Sequence, residues 1–110
     1  MIDLSYLKYT TNDDKTLIMQ LVDIFIKQLP DLKKGIVTSF SEKNWISLRD
    51  AAHKAKNSFE MMGMKNQALE LKQLEILSTK NQSNPEMQVL VDNFVKNCDL
   101  VAREIQNLEI

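Results

Sequence analysis

The 110-residue sequence predicts an all-α protein, an antiparallel up-and-down four-helix bundle with a short extra N-terminal helix. Three observations carry that expectation. Apolar residues recur at steps of three and four in four long segments, the period of a helix with one buried face. Glycine and proline number two each, too few for the many tight turns of a β-rich chain. Short polar stretches join the segments, so consecutive helices should lie side by side. A chain of this length buries roughly two-thirds of its unfolded surface. It suits one domain, expected over residues 1–110.

Asp3 caps a short opening segment whose Leu4 and Leu7 would lid one end of the bundle. Asn12-Asp13-Asp14 supplies caps for the first long helix, with the stripe Leu17, Ile18, Leu21, Val22, Phe25, Leu29, Leu32, Ile36 and Phe40. Pro30 falls inside this stripe. It should bend the helix or remove one hydrogen bond, because the pattern continues beyond it. Ser41-Glu42-Lys43 is a connection, and Asn44 caps a helix carrying Trp45, Leu48, Ala52, Ala55, Phe59 and Met62, with Gly63 as its stop. The third long helix, residues 65–79, carries Ala68, Leu71, Leu74 and Leu77, with Leu69 and Ile76 alongside. Asn81-Gln82-Ser83 is a polar break. Asn84-Pro85-Glu86 then combines a cap, a proline at the first helical position and an acid in the first turn. The last stripe is Met87, Leu90, Phe94, Cys98, Val101, Ile105 and Leu108.

Composition narrows function. Fourteen basic and 15 acidic side chains give a net charge of −1, with no field or basic tail to attract a nucleic-acid backbone. One cysteine and one histidine cannot build a disulfide or a Cys/His metal site. The start Met1-Ile2-Asp3-Leu4 lacks the features of a signal peptide, and no apolar run is long enough to span a membrane. A cytoplasmic, monomeric protein without membrane insertion is therefore expected. An enzyme with an inward-facing site would need paired carboxylates or a Glu-x-x-His set within the stripes, and the stripes contain neither.

The polar residues that a bundle does not require lie on the second long helix. At about 100° per residue, His53 falls roughly 130° from the centre of the Trp45–Met62 stripe and must face solvent. Arg49 lies one turn before it, Lys56 and Asn57 one turn after, and Glu60 two turns after. Ile46, Met61 and Met64 share that side without a core role, and methionines suit an adaptable docking surface. A neutral imidazole nitrogen can accept a phosphoryl group from an acyl phosphate and pass it on. Lys56 can reach the phosphoryl oxygens. The other ring nitrogen needs an acceptor to fix its tautomer. If the chain turns near Met64, residue 75 lies opposite residue 53, which makes Glu75 the candidate, with Lys72 and Gln73 as alternatives.

At these residues the chain resembles the histidine-containing phosphotransfer (HPt) domain of multistep two-component signalling. The family motif is His, any residue, Leu, Lys, Gly, Ser/Ala, then Gly ten positions after the His. Here it reads His53-Lys54-Ala55-Lys56-Asn57-Ser58-Phe59-Glu60-Met61-Met62-Gly63, matching at His53, Lys56, Ser58 and Gly63. Ala51-Ala52, the Asp3-Leu4-Ser5-Tyr6-Leu7 opening, Ile24-Phe25 with Leu29-Pro30, Trp45 and Leu74-Glu75 also look like the family. Ala55 replaces the family's Leu. Asn57 replaces the Gly that keeps the histidine accessible in the family.

The resemblance implies a phosphohistidine relay between receiver-domain aspartates. His53 would be the phosphoacceptor, Lys56 would stabilise the phosphoryl group, and Glu75 or Gln73 would orient the ring. Ile46, Arg49, Asn57, Glu60, Met61 and Met64 would meet response-regulator receiver domains, or a hybrid sensor histidine kinase that carries one. Such a domain is a phosphocarrier without kinase activity or a cofactor of its own, Mg²⁺ being supplied at the receiver. The Asn57 departure keeps a second reading open: a non-phosphorylated helical adaptor that binds receiver domains or other signalling partners.

Overall fold

Side-chain caps set four of the five helix starts in the computed structural model, which describes residues 1–108. The last two residues of the expected 1–110 domain lie outside the described ones. Asp3 accepts from the Tyr6 amide and starts α1, Leu4–Thr10. Asp14 accepts from Leu17 and starts α2, Lys15–Ser41. Asn44 accepts from Ser47 and starts α3, Trp45–Met61. Asn84 accepts from Glu86 and starts α5, Pro85–Gln106. Each cap satisfies an amide that has no partner within its helix. The exception is α4, Lys65–Ser78, which follows Met64 without a side-chain cap. Among the described residues there is no strand.

Each long helix packs against the next, and α5 returns to α2, so α2 to α5 enclose one core. Phe59 of α3 is fully buried at its centre. Its ring meets Phe25 of α2 edge-on at 5.4 Å and Phe94 of α5 at 5.6 Å. Such pairs add to the burial term through ring electrostatics. Pro30 sits within an unbroken α2, as the continuing stripe requires. Every link between helices contains a left-handed residue: Asn12 and Asp13, then Lys43, Gly63 and Asn81.

Gly63 has a reason beyond its φ of +74°. A Cβ there would lie 2.7 Å from the Asp3 Cβ and 3.1 Å from the Tyr6 Cβ. The bare backbone lets α1 seat directly on the α3–α4 turn. The Asp3 amide donates to the Met62 carbonyl at 3.1 Å. The chain before α1 is tied to the far end of α5, with the Met1 ammonium 2.7 Å and the Ile2 amide 3.0 Å from the Glu104 carboxylate. Leu7 inserts fully into the core. The opening segment therefore closes one end of the molecule.

Several stripe positions differ from expectation. Leu17 is 39% exposed although its neighbour Ile18 is fully buried, because one residue of helix turns it off the core-facing stripe by about 100°. Leu69 and Ile76, placed beside the α4 stripe, are 60% and 51% exposed. Leu21, Phe40, Trp45, Ile105 and Leu108 pack on the core's rim and stay half-buried. Among the described residues no helix is long and apolar enough to cross a membrane.

Candidate functional site

The packing of α3 decides where its polar residues go. Leu48, Ala52, Ala55 and Phe59 are all completely buried, which fixes the rotation of the helix. His53 is thereby turned outward, and its side chain is 55% exposed. Ser58 lies on another flank, where its hydroxyl is 3.3 Å from the Lys54 carbonyl and 3.4 Å from the Gln28 side-chain oxygen, with one proton to share between them.

The α3–α4 turn sets what stands opposite His53. Gly63 ends α3 and Met64 starts the return, so Glu75 reaches His53 across the groove. His53 Nδ1 lies 3.1 Å from both Oε1 and Oε2 of Glu75. Lys56 Nζ lies 3.5 Å from the same Oε1. Lys56 and Glu75 are sheltered, with side chains 14% and 21% exposed, whereas the imidazole is open to solvent.

The protonation pattern follows from these contacts. Partial burial pushes the Glu75 carboxyl upward. The hydrogen bond from His53 and the charges of Lys56 and His53 outweigh that and hold it below its ordinary value of 4.5. Glu75 is therefore an anion at neutral pH, and an anionic carboxylate can only accept. Nδ1 must carry the proton and donate it to Glu75. In the neutral ring Nε2 then keeps its lone pair. The result is a nucleophilic nitrogen in an accessible place, with its tautomer set by a fixed anion. Lys56 holds a positive charge beside the same carboxylate.

The structure brings Ile46, Arg49, Asn57, Glu60 and Met61 onto the exposed side of α3 shared with His53. Ile46 and Met61 are 64% and 51% exposed. Arg49 Nε contacts Asp50 at 3.5 Å. Two expected members do not belong. Met64 is 1% exposed, because the left-handed Gly63 ends the α3 rotation and folds Met64 into the core. Gln73 is exposed on the wrong flank, since two residues of helix turn it by about 200° from Glu75. Lys72, the other alternative, is exposed, and its ammonium has no acceptor to offer a ring N–H. Sequence reasoning missed the apolar contribution of α4, where the exposed Leu69 stands beside Glu60 and Lys72, and Ile76 is exposed two turns further on. Their departure from the α4 core stripe was the available signal.

Among the described residues no group of three His, Cys, Asp or Glu side chains is placed to hold a metal ion. No curated protein and no solved structure matches the chain. The family model for the Hpt domain matches residues 20–109, from the second turn of α2 past the end of α5. Hpt domains are phosphocarriers that hold phosphohistidine in two-component phosphorelays, and the match spans the helix that bears His53. The chain belongs to the Hpt domain family.

Proposed function

We propose that the protein relays a phosphoryl group between receiver-domain aspartates through His53. The observation that carries this reading is the pair of 3.1 Å contacts from Nδ1 to Glu75, made by a ring whose other edge is open to solvent. In the forward step the Nε2 lone pair attacks the phosphorus of the receiver's aspartyl phosphate. The N–P bond forms as the P–O bond to aspartate breaks, and the aspartate leaves as a carboxylate. The Nδ1 proton stays in place, so the phosphorylated ring is cationic and Glu75 balances it. Lys56 is one turn away and swings from Glu75 toward the phosphoryl oxygens. In the return step an aspartate oxygen attacks phosphorus, the N–P electron pair goes back to Nε2, and the neutral ring is restored.

The rest of the reading follows the same line. The helices form an antiparallel up-and-down four-helix bundle, α2 to α5, with α1 as an extra lid. This is supported by the short links and by the return of α5 to α2. Residues 1–110 form a single, monomeric, cytoplasmic domain. It is a carrier and not an autonomous kinase. Ile46, Arg49, Asn57, Glu60 and Met61 meet the receiver, a response regulator or the receiver of a hybrid sensor kinase, in a small transient interface. Mg²⁺ bound at the receiver supplies further charge neutralisation.

The test is incubation with phosphorylated receiver domains, followed by chemical mapping. Acid-labile, base-stable phosphate should appear on His53 and be absent from His53→Gln. If no receiver charges the protein, and His53→Gln keeps its biological output, the adaptor reading replaces the relay.

A further inference from the structure

The groove that holds His53 continues past its ring. Glu60, one turn past Lys56, extends it along α3, and Lys72, Leu69 and Ala68 extend it along α4 away from Glu75. Where both helices approach the Gly63 turn, α1 closes the end. The result is a cleft of about 440 Å³ lined by Tyr6, Glu60, Lys65, Ala68, Leu69 and Lys72. Glu60 comes seven residues after His53, so the cleft opens roughly 10 Å from the phosphoacceptor along the helix.

The cleft has a distinct chemistry. Leu69, 60% exposed, offers an aliphatic wall. The Tyr6 ring offers an aromatic one, with the Lys65 ammonium 5.9 Å from its centroid. Lys65 and Lys72 outnumber Glu60 at the rim. An apolar side chain with a neighbouring carboxylate complements such a pocket. Tyr6 is held there by the hydrogen bond from the Asp3 amide to the Met62 carbonyl and by the missing Cβ of Gly63.

Interface size identifies the occupant. A small, transient protein interface covers up to about 600 Å² on each side, a disc of up to roughly 14 Å radius, against the roughly 10 Å between His53 and the cleft. A macromolecule centred on Nε2 therefore reaches the cleft. Residues 1–19, which include all of α1, precede the segment that the family model matches, so the Tyr6 wall lies outside the matched frame that carries His53.

We propose that the α1–α3–α4 cleft is a second anchor for the receiver domain that docks at His53. It takes an apolar side chain with an adjacent carboxylate, and through Tyr6 it selects among receivers. The inference rests on the relay reading above.

Phosphoramidate, a small phosphoryl donor that needs no docking surface, separates the two. The parental protein, Leu69→Asp, Tyr6→Ser and the distant α2 variant Met19→Asp are charged with it. They are then charged with a panel of isolated receiver domains phosphorylated by acetyl phosphate and Mg²⁺. Phosphoramidate should charge all four alike. With the preferred receiver, Leu69→Asp should be about ten-fold slower at low receiver concentration, through apparent KM and not the maximal rate. Tyr6→Ser should change in the same direction and alter the order of receiver preference. Met19→Asp should match the parent. Parental rates for Leu69→Asp and Tyr6→Ser with every receiver overturn the proposal, as does an equal loss in Met19→Asp. Loss of a parental dimer in Leu69→Asp, with receiver transfer unchanged, assigns the cleft to a second copy and also overturns it. A parent that phosphoramidate cannot charge removes the relay reading itself, and the inference with it.

Discussion

The α3–α4 seam keeps His53 in the open beside a sheltered anion and cation, whereas the α2–α5 seam keeps Cys98 buried, beside Leu29, Pro30 and Ala102. Both seams hold a side chain capable of nucleophilic attack. Burial pushes the Cys98 thiol up to about 12, despite Lys33 nearby, so it stays protonated and unreactive. At His53 the neighbouring carboxylate fixes the proton on one nitrogen and leaves the other free. The difference teaches that neither residue type nor neighbouring charge confers reactivity alone. Lys33 leaves a buried thiol protonated, while Glu75 fixes the proton of a ring that remains half exposed.

Removing the anion should break this contrast most strongly. Glu75→Gln should slow phosphoryl acceptance by roughly ten- to hundred-fold, the range for deleting an outer partner that orients a histidine. The phosphoramidate charging rate measures it, and Glu75→Asp should recover less than full rate because its shorter arm widens the contact. At the other seam, Cys98→Ser should bury a hydroxyl that bonds within its own helix, as Ser78 does to the Leu74 carbonyl, and cost about 1 kcal/mol in denaturant unfolding, with charging unchanged.

Acid should reveal a smaller effect. Glu75 is held below its ordinary value, so its contribution to stability is complete above pH 4.5 and is lost as pH falls through the depressed value. Below that range the parent should lose more stability than Glu75→Gln, as read by parallel thermal melts. Least of all should be Lys33→Ala. Its 3.3 Å pair with Asp99 is exposed on both sides, so unfolding should shift by at most about 0.5 kcal/mol.

Much of this arrangement was legible in the sequence. The caps Asp3, Asp14, Asn44 and Asn84 announce helix starts through local chemistry alone. The outward turn of His53 follows from the buried Leu48, Ala52, Ala55 and Phe59. The position of Glu75 follows from counting equal distances around a turn. What was hidden depends on contacts between distant segments. Met64 continues the α3 face arithmetically, yet the backbone reverses at Gly63 before reaching it. Gln73 sits near Glu75 in sequence but on the opposite flank. The Met1–Glu104 ion pair joins residues 103 apart and carries no local signal. The Tyr6 cleft needs three helices and the absence of one methyl group, which no periodicity encodes.

That absent methyl makes the genetics of the α3–α4 turn conditional. A mutational scan would score Gly63 as intolerant and blame the hairpin. Part of the defect belongs to Asp3 and Tyr6, which occupy the volume any larger residue would claim. Deleting α1 should therefore relieve the steric part of Gly63→Ala and leave the backbone part, so the two changes combine non-additively. Epistasis between the first ten residues and position 63 is thus built into the way the chain closes upon itself.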